Sequence, residues 1–299
     1  MNKCLVTKLN GVVSNKDLTP LGCAALTVYH SDNTLKLECE GNNVEYFTAN
    51  GETIFSTDKS NFVNRISANQ PVFVKADKPT LVFISNKYEL TKVDIFDSAN
   101  NAQLDIDFSD FKYCKKVEEF NITNFKTLIG DISSLSSFAS LKTLQLNSTS
   151  VSGDISALSS LASLQNLVLS NTYVSGDISA LSSLASLHSI DFNGTNISGD
   201  ISALSSLASL QNLVLNNTSV SGDISAFNNL VKLSVLKMGK TCTGYFKTLC
   251  NSLKDNGKTS GTLTFWSYNG QIKIDEHTNC PNHDIIATFS EGEISYSGL

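Results

Sequence analysis

A short segment near the C-terminal end of the sequence, HTNCPNHD, carries residue types that bind zinc. His277, Cys280 and His283 stand three residues apart, and Asp284 follows directly. Imidazole and thiolate groups suit zinc, but a structural zinc site takes about four ligands and no second pair at metal-binding spacing follows. The segment is therefore a weak zinc candidate, and its simpler interpretation is a polar loop. We expect no cofactor.

A column of carboxylates is the second feature that could bind a ligand. Aspartate recurs at one position of five successive segments, as Asp131, Asp154, Asp177, Asp200 and Asp223. Neighbouring strands lie about 4.8 Å apart, and unit charges at that distance repel by about 0.9 kcal/mol in water. The carboxylates must therefore be solvated, bonded to backbone amides or neutralised by cations. A calcium ladder is one alternative, because calcium prefers oxygen ligands.

The sequence lacks the patterns that catalytic sites need. None of its four histidines accompanies a nucleophile elbow, a phosphate-binding loop or paired carboxylates. The 28 acidic residues outnumber the 22 basic ones, so the net charge is −6. Phosphate binding needs clustered lysine and arginine, which argues against a nucleic-acid partner. We therefore expect a protein that is not an enzyme and that binds no nucleic acid.

Most of these residues belong to a repeated stretch. The segment VSGDISALSSLASLQNLVLSNTY, residues 151–173, is followed by VSGDISALSSLASLHSIDFNGTN, residues 174–196. A period of 23 residues separates the members of two columns, Gly130, Gly153, Gly176, Gly199 and Gly222, and Thr149, Thr172, Thr195, Thr218 and Thr241. A fixed period of about 20 to 50 residues is typical of a solenoid, in which each unit packs on its neighbours.

Each unit combines two extended pieces with a tight turn. Leu164, Leu167 and Leu169 have the spacing L-x-x-L-x-L, whose alternating part predicts a short strand with leucines facing inward. The following V-S-G-D-I alternates again and predicts a second extended piece. In the next stretch Leu181, Leu184 and Leu187 recur every three residues, which favours a short 3₁₀ or helical turn.

This pattern resembles a leucine-rich repeat. V-S-G-D-I-S-A-L-S-S-L is similar to the L-x-G-x-I-P-x-x-L segment of the plant-type subclass, and the resemblance covers roughly residues 104–245. Thr172 and its equivalents replace the usual ladder asparagine, and serine replaces proline after the isoleucine. The resemblance implies a solenoid with a parallel sheet on its concave side and short 3₁₀ or helical turns.

Residues between the strand leucines must point outward, onto what would be the concave surface. Leucine-rich repeats commonly bind partners there, and amides and hydroxyls can bond to a protein or to sugar hydroxyls. The alternative is a sheet that is merely solvated. The candidate ligand-binding residues are Thr143, Gln145, Asn147, Asn166, Ser170, Tyr173, Ser189, Asp191, Asn193, Asn212, Asn216, Lys237 and Lys240.

The whole chain is expected to be multi-domain and mainly β. Residues 1–92 alternate strands with the turn sequences S-D-N and N-G, which predicts a β-sandwich-like attachment domain. Residues 93–245 form the predicted solenoid, a cap plus about six repeats. Residues 246–299 begin with a capping helix that ends at Gly257 and continue with β strands, a small α+β region.

Two short segments carry a second resemblance. KCLVTKLNGVV near the start resembles the N-terminal attachment segments of virion appendage proteins of phages that infect gut Bacteroides-type bacteria, including crAss-like phages. NGKTSGTLTF, at residues 256–265, resembles a segment of the same kind of protein and of surface proteins of the host bacteria. The resemblance implies a virion fibre or decoration protein. Its residues 1–92 would contact other virion proteins, and its repeats would recognise a host-surface glycan or protein. One alternative is a purely structural virion or scaffold component, and another is a bacterial leucine-rich-repeat protein that binds a protein.

The expected location follows from what the sequence lacks. The first residues have no apolar core of a secretion signal, and no run approaches the roughly 20 apolar residues of a membrane span. We therefore expect a virion protein assembled in the host cytoplasm, or otherwise a soluble cytoplasmic one, with no membrane partner. The seven cysteines contain no C-x-x-C, so reduced thiols are expected. The sequence is also compatible with a homo-oligomer.

Overall fold

The structure is a computed structural model of the chain. It describes residues 115–299 except 127, 268–270, 281–282 and 291–292, and before residue 115 it describes only strands and the burial of Val93. The chain divides into two compact units, Met1–Ser152 and Gly153–Leu299.

The first unit begins with antiparallel sheets. Strands β3, β7, β1 and β9 form one sheet in that order, and β5, β4, β6, β2 and β8 pair in that order in another. The sandwich-like arrangement and the boundary at residue 92 stay predictions, because the residues between these strands lie outside the described part. The strands are β1 (Leu5–Asn10), β2 (Ala24–His30), β3 (Lys36–Glu40), β4 (Glu45–Phe47), β5 (Thr53–Ser56), β6 (Val72–Lys75), β7 (Thr80–Ile84), β8 (Leu90–Phe96) and β9 (Gln103–Asp105).

The same unit ends with the first repeats. Parallel pairing starts between β8 and β10, where Val93 lies opposite Phe120, and it continues from β10 to β12. A second parallel pair joins β11 to β13, which runs across the division between the two units. The elements are β10 (Glu119–Thr123), β11 (Ile129–Asp131), a 3₁₀ turn (Ile132–Leu135), β12 (Thr143–Gln145) and β13 (Ser150–Asp154).

In the second unit, each repeat supplies a short strand, a longer strand and a 3₁₀ turn. The strands are β14 (Asn166–Val168), β15 (Tyr173–Asp177), β16 (Ser189–Asp191), β17 (Asn196–Asp200), β18 (Asn212–Val214), β19 (Ser219–Asp223), β20 (Val235–Met238) and β21 (Cys242–Tyr245). The turns are Ile155–Leu158, Ile178–Leu181, Ile201–Leu204 and Ile224–Phe227. The prediction of parallel-strand repeats with short 3₁₀ turns is confirmed.

These strands form two parallel sheets. The first sheet contains β14, β16, β18 and β20, and the second sheet contains β15, β17, β19 and β21. The core lies between them. Leu164, Leu167, Leu169, Val174, Ile178, Leu181, Leu184 and Leu187 are each no more than 1% exposed. One repeat could not bury these side chains alone, so the stacking itself stabilises the fold.

The C-terminal elements extend both sheets. In the first sheet β22 (Gly261–Ser267) pairs parallel with β20, and β24 (Ile285–Ser290) and β25 (Glu293–Ser297) follow in antiparallel order. In the second sheet β23 (Gln271–Lys273) pairs parallel with β21.

A helix, α1 (Phe246–Asp255), lies where the sequence predicts one. It buries Phe246, Leu249, Cys250 and Leu253, whose spacing places them on one helical face. Gly257 follows with a φ of +107°, a conformation that favours glycine and ends the helix. Among the described residues, no helix is both long enough and apolar enough to cross a bilayer.

The last repeat is closed by polar contacts from α1 and the segment after it. Asn256 Nδ2 donates to Asn228 O at 3.0 Å. Lys258 is only 7% exposed, and its Nζ donates to Val231 O at 3.1 Å and to Leu233 O at 2.7 Å. The lysine therefore satisfies two carbonyls of the last repeat and connects the segment after α1 to it.

Candidate binding surface

The outward side of the first sheet in the second unit is a mainly polar surface that runs across four repeats. We call the outward residues of β14, β16, β18 and β20 the strand face. Between them Leu167, Ile190, Leu213 and Leu236 are fully buried, so the side chains on either side of each point outward. The strand face consists of Asn166, Ser189, Asn212 and Val235 in one row and Val168, Asp191, Val214 and Lys237 in the next.

A turn directly after each strand fixes where the strand face ends. Thr172, Thr195 and Thr218 are buried, and their hydroxyls donate at 2.6 to 2.7 Å to the carbonyl three residues earlier. Asn171 and Gly194 in these turns have φ values of +55° and +70°. The threonine column is therefore structural, as is Thr149, which makes the same bond in the first unit. Thr241 differs, because it is exposed and bonds to Val220 O.

An amide cluster borders the strand face at these turns. Asn193 Oδ1 accepts hydrogen bonds from Asn216 Nδ2 and from Asn217 Nδ2, the second at 3.0 Å. The backbone N–H of Asn193 donates to Asp191 Oδ1 at 3.0 Å. The cluster therefore links the ends of two neighbouring repeats and holds Asp191 in place.

The charges of the strand face are few and lie apart. Asp191 is on β16, and Lys237 on β20 has its Nζ 3.8 Å from Asp284 Oδ1. Both members of that ion pair are more than a third exposed, so it contributes little to stability. The rest of the face is neutral, a mixture of amide, hydroxyl and valine side chains.

The structure brings most of the predicted residues together, but not all. Asn166, Ser189, Asp191, Asn212 and Lys237 lie on the strand face. Asn193 and Asn216 lie in the turns, two residues after the ends of β16 and β18. Lys240 is exposed in the turn after β20. In the first unit Thr143 and Gln145 flank the buried Leu144 of β12, and Asn147 lies in the next turn.

Tyr173 and Ser170 differ from the expectation. Tyr173 begins β15, so it belongs to the second sheet and not to the strand face, and it is 64% exposed. The chain turns at Asn171 and buries Thr172, which interrupts the alternation that the sequence pattern extended through this point. Ser170 is buried in the same turn. The candidate surface therefore loses its one predicted aromatic ring.

A different aromatic residue, missed from the sequence, continues the surface. Trp266 on β22 lies opposite Lys237 of β20, and Thr264 lies opposite Val235. Leu263 and Phe265 are buried between and beside them, so Trp266 and Thr264 share the outward side. The alternation in GTLTFWS could have indicated this orientation, but it did not indicate that β22 joins the repeat sheet.

The aspartate column caps the 3₁₀ turns. In each of the five turns the carboxylate accepts a hydrogen bond from the serine N–H two residues later; for Asp154 Oδ1 and Ser156 N the distance is 2.8 Å. The amide and hydroxyl of Ser202 hold the pKa of Asp200 below its ordinary value. For Asp223 burial opposes the same effect, yet hydrogen bonds from Ser225 and Thr243 leave its pKa lowered. The alternative of amide-bonded carboxylates therefore accounts for this column.

The zinc candidates His277, Cys280 and His283 do not form a cluster of metal ligands. Within the described residues, no group of three or more histidine, cysteine, aspartate or glutamate side chains could hold a metal ion. His283 Nε2 is 3.0 Å from Gly298 O, and the His277 N–H donates to Asp275 Oδ1 at 3.1 Å. Burial raises the pKa of the Cys280 thiol to about 11, which disfavours the thiolate that a metal needs.

No protein-family model matches the chain, and no curated protein is similar to it. Among solved structures it is similar to the internalin inlF of Listeria monocytogenes, with 23% identity over 56% of this chain and 52% of that one, and a TM-score of 0.41. The internalin inlC2 of the same bacterium gives 20% identity over 63% of this chain and 75% of that one, with a TM-score of 0.43. The plant peptide hormone receptor RGFR1 gives 19% identity over 55% of this chain and 30% of that one, with a TM-score of 0.43.

These neighbours are leucine-rich-repeat proteins, and the likeness concerns the fold alone. The chain spans about half of inlF and less than a third of the plant receptor. The parallel strands and 3₁₀ turns of this chain, described above, are read from its own structure and do not rest on these neighbours.

Proposed function

We propose that the chain is a non-enzymatic repeat scaffold that binds a protein partner on the strand face. One observation carries the proposal: in the three repeats that begin at residues 151, 174 and 197, the differences are concentrated in the segment that forms this face. Residues 151–164 and 174–187 are identical, and 197–210 differ from them only by isoleucine for valine at the first position. The next nine residues read QNLVLSNTY, HSIDFNGTN and QNLVLNNTS.

The constant part has a structural reason to stay constant. Its leucines fill the core, its aspartate caps the 3₁₀ turn, and its glycine lies against the aspartate of the preceding repeat. At the outward positions of the strand segment the fold accepts different side chains, since Ser189 and Asp191 stand where Asn166 and Val168 stand one repeat earlier, and β14 and β16 are both strands of three residues. Variation at such positions supports a recognition role.

A peptide display experiment tests the proposal. Random peptides selected on the whole chain are measured against Ser189→Arg, on the strand face, and Asn196→Arg, an exposed position of the second sheet in the same repeat. We expect a loss of affinity of about tenfold or more with Ser189→Arg and none with Asn196→Arg, because an added guanidinium blocks a neutral face. Equal loss with both variants, or with neither, would overturn the assignment of the strand face.

The more specific hypothesis is a phage virion fibre that recognises a host glycan or protein, and it rests on the two short segments named above. Most of the first lies outside the described residues. The second has a packing role: Gly257 ends α1, Lys258 caps the last repeat, and Leu263 and Phe265 are buried. Its resemblance therefore has a structural explanation as well, and both the virion location and the glycan partner stay predictions.

Binding to gut-bacterial cells and to their capsular polysaccharides separates these alternatives. Strain-selective binding that one polysaccharide competes, and that Ser189→Arg abolishes, would support the fibre hypothesis. The purely structural alternative predicts that deletion of residues 174–196 has no functional effect, because one whole repeat then only shortens the stack.

A further inference from the structure

The first sheet ends, among the described residues, at strand β25. This strand pairs with β24 along one side, from Ile286 opposite Ser297 to Ser290 opposite Glu293. No other described strand lies beyond it in the sheet order. A strand in that position presents a row of backbone N–H and C=O groups that can pair with another chain.

The apolar layer beneath the sheet is incomplete at this edge. On β22 and β24 the inward side chains are closed off, since Phe265, Ala287 and Phe289 are at most 2% exposed. On β25 the inward side chains, Ile294 and Tyr296, are only half-buried. Tyr296 contacts Phe246 of α1 edge to face at 6.3 Å and has Lys247 Nζ 5.9 Å from its ring centroid, yet the side chain stays half-buried.

The edge also lacks the features that keep sheet edges apart. Monomeric proteins protect an edge with lysine, proline, inward charges or a bulge. Strand β25 reads EISYS, with one charge at its end and no lysine or proline. Its pairing with β24 runs without a bulge over five residue pairs.

We propose that β25 pairs antiparallel with β25 of a second copy, about a two-fold axis at Ser295, and that the chain is a homodimer through this sheet edge. The register places Ser295 opposite Ser295 of the partner subunit. Ile294 then lies opposite Tyr296 of the partner subunit, and Glu293 opposite Ser297 of the partner subunit. Both half-buried residues become covered, by each other's copies.

Self-complementarity selects this occupant and this register. A two-fold axis makes residue i face residue j and j face i, so a strand must complement itself. Centring at Ser295 pairs an aliphatic with an aromatic side chain and keeps the two glutamates apart. Centring at Ile294 or at Tyr296 would leave the other apolar residue opposite glycine, Gly292 or Gly298 of the partner subunit, and centring at Glu293 would set like charges face to face.

Charge substitutions at the axis test the dimer in the full-length chain. Ser295 is exposed, so Ser295→Lys leaves the monomer fold intact but sets two lysines opposite each other across the axis. Thr262→Lys is the matched control, because Thr262 is exposed in the same row of the sheet, two strands away from the edge. The measurement is sedimentation velocity over a concentration series, with the 32.3 kDa monomer mass as reference.

We expect the wild-type chain to form a species of twice the monomer mass. The dissociation constant of this dimer should be unchanged in Thr262→Lys and should rise at least about tenfold in Ser295→Lys and in Ser295→Glu when each is measured alone. Mixing the two Ser295 variants should restore the dimer, because lysine then faces glutamate. A wild-type chain that stays monomeric at about 100 µM, a dimer that Ser295→Lys does not weaken, or a mixture that stays monomeric would each overturn the proposal.

Discussion

The carboxylate of Asp154 occupies the space that a side chain on Gly176 would need. Asp154 Oδ1 is 2.6 Å from the position of a Cβ built on Gly176, and Asp177 Oδ1 is 2.5 Å from that of Gly199. The same Asp154 oxygen accepts the N–H of Ser156 in its own repeat. The aspartate and glycine columns are therefore one structural feature, in which each capping carboxylate packs against the glycine of the next repeat.

Gly176→Ala is expected to destabilise the chain more than Gly257→Ala does. Both glycines have positive φ, +116° and +107°, a conformation that costs an alanine about 1–2 kcal/mol. Only Gly176 faces a neighbour, Asp154, since nothing lies within 4 Å of a Cβ at Gly257. Urea denaturation midpoints measure the difference, and equal midpoints for the two variants would show that the close contact has no energetic weight.

Acid is expected to lower the stability through the capping aspartates. Hydrogen bonds from Ser156, Ser179 and Ser202 lower the pKa of Asp154, Asp177 and Asp200, respectively, below 3.8. A lowered folded-state pKa gives a stabilisation that is present above the unfolded pKa and is lost as the pH falls through the folded one. The urea concentration at which half of the protein is unfolded should therefore decrease as the pH is lowered below about 4.

The control for this prediction replaces all three aspartates by asparagine. Asparagine keeps the capping oxygen but does not ionise, so the midpoint of the triple variant should depend less steeply on pH between about 2.5 and 5. An identical pH slope in the variant would assign the acid effect to other carboxylates.

Lys258→Met is expected to loosen the end of the repeat stack. The substitution removes the donor to Val231 O and Leu233 O, and each buried carbonyl left unpaired costs about 1–3 kcal/mol. Lys232→Met changes an exposed lysine of the same repeat and should be nearly neutral. Hydrogen exchange of the last repeat, read by mass spectrometry, measures the local effect; equal exchange in both variants would contradict it.

Stability is expected to fall above about pH 9. Burial raises the pKa of Cys242 from 9.0 to about 11 and that of Cys250 to about 12. Between these values the unfolded chain ionises while the folded chain does not, so the stabilisation present below pH 9 is lost as the pH rises. Burial of Lys258 lowers its pKa and acts in the opposite sense, but it is one group against three thiols, because burial also raises the pKa of Cys280 to about 11.

Thermal midpoints between about pH 7.5 and 10.5 measure this alkaline loss. Cys250→Ala removes one of the buried thiols, so its midpoint should decline less steeply even though its value at neutral pH is lower. A wild-type midpoint that stays flat over the range would show that the thiols stay protonated in both states.

Asn193→Ala is expected to weaken the structure as well as any ligand binding. The variant loses the acceptor of two amide groups, those of Asn216 and Asn217, and so disconnects two repeats. We expect a loss of about 1 kcal/mol, measured by urea denaturation. Asn196→Ala, at an exposed site with no such bonds among the described contacts, is the control. An unchanged midpoint would leave Asn193 a pure recognition residue, as the sequence alone indicated.

The repeat architecture could be predicted because burial imposes a period. Apolar residues that alternate must face one side of a strand, as Leu167 and Leu169 do. Apolar residues three apart must share one side of a 3₁₀ turn, as Ile178 and Leu181 do. The end of α1 at Gly257 was equally readable, since a positive φ favours glycine. These features depend on a residue and its near neighbours in the chain.

Features that depend on distant contacts could not be predicted. Tyr173 follows a turn at Asn171 that resets which side is outward, so a pattern extended through the turn placed it on the wrong sheet. Trp266 lies on the outward side of the first sheet because β22 pairs with β20. That pairing could not be predicted, since β22 does not follow the 23-residue repeat pattern of the sequence. The chemistry of the ligand is likewise absent from the local pattern.

Part of the strand face recurs after two repeats. Asn166-Leu167-Val168 returns as Asn212-Leu213-Val214, 46 residues later, with Ser189-Ile190-Asp191 between them. A whole repeat added to the stack or removed from it would meet the same aspartate–glycine contact on either side, because Gly176 and Gly199 each lie against the aspartate of the preceding repeat. The stack can therefore change its length in steps of one repeat while the contacts between neighbouring repeats stay the same.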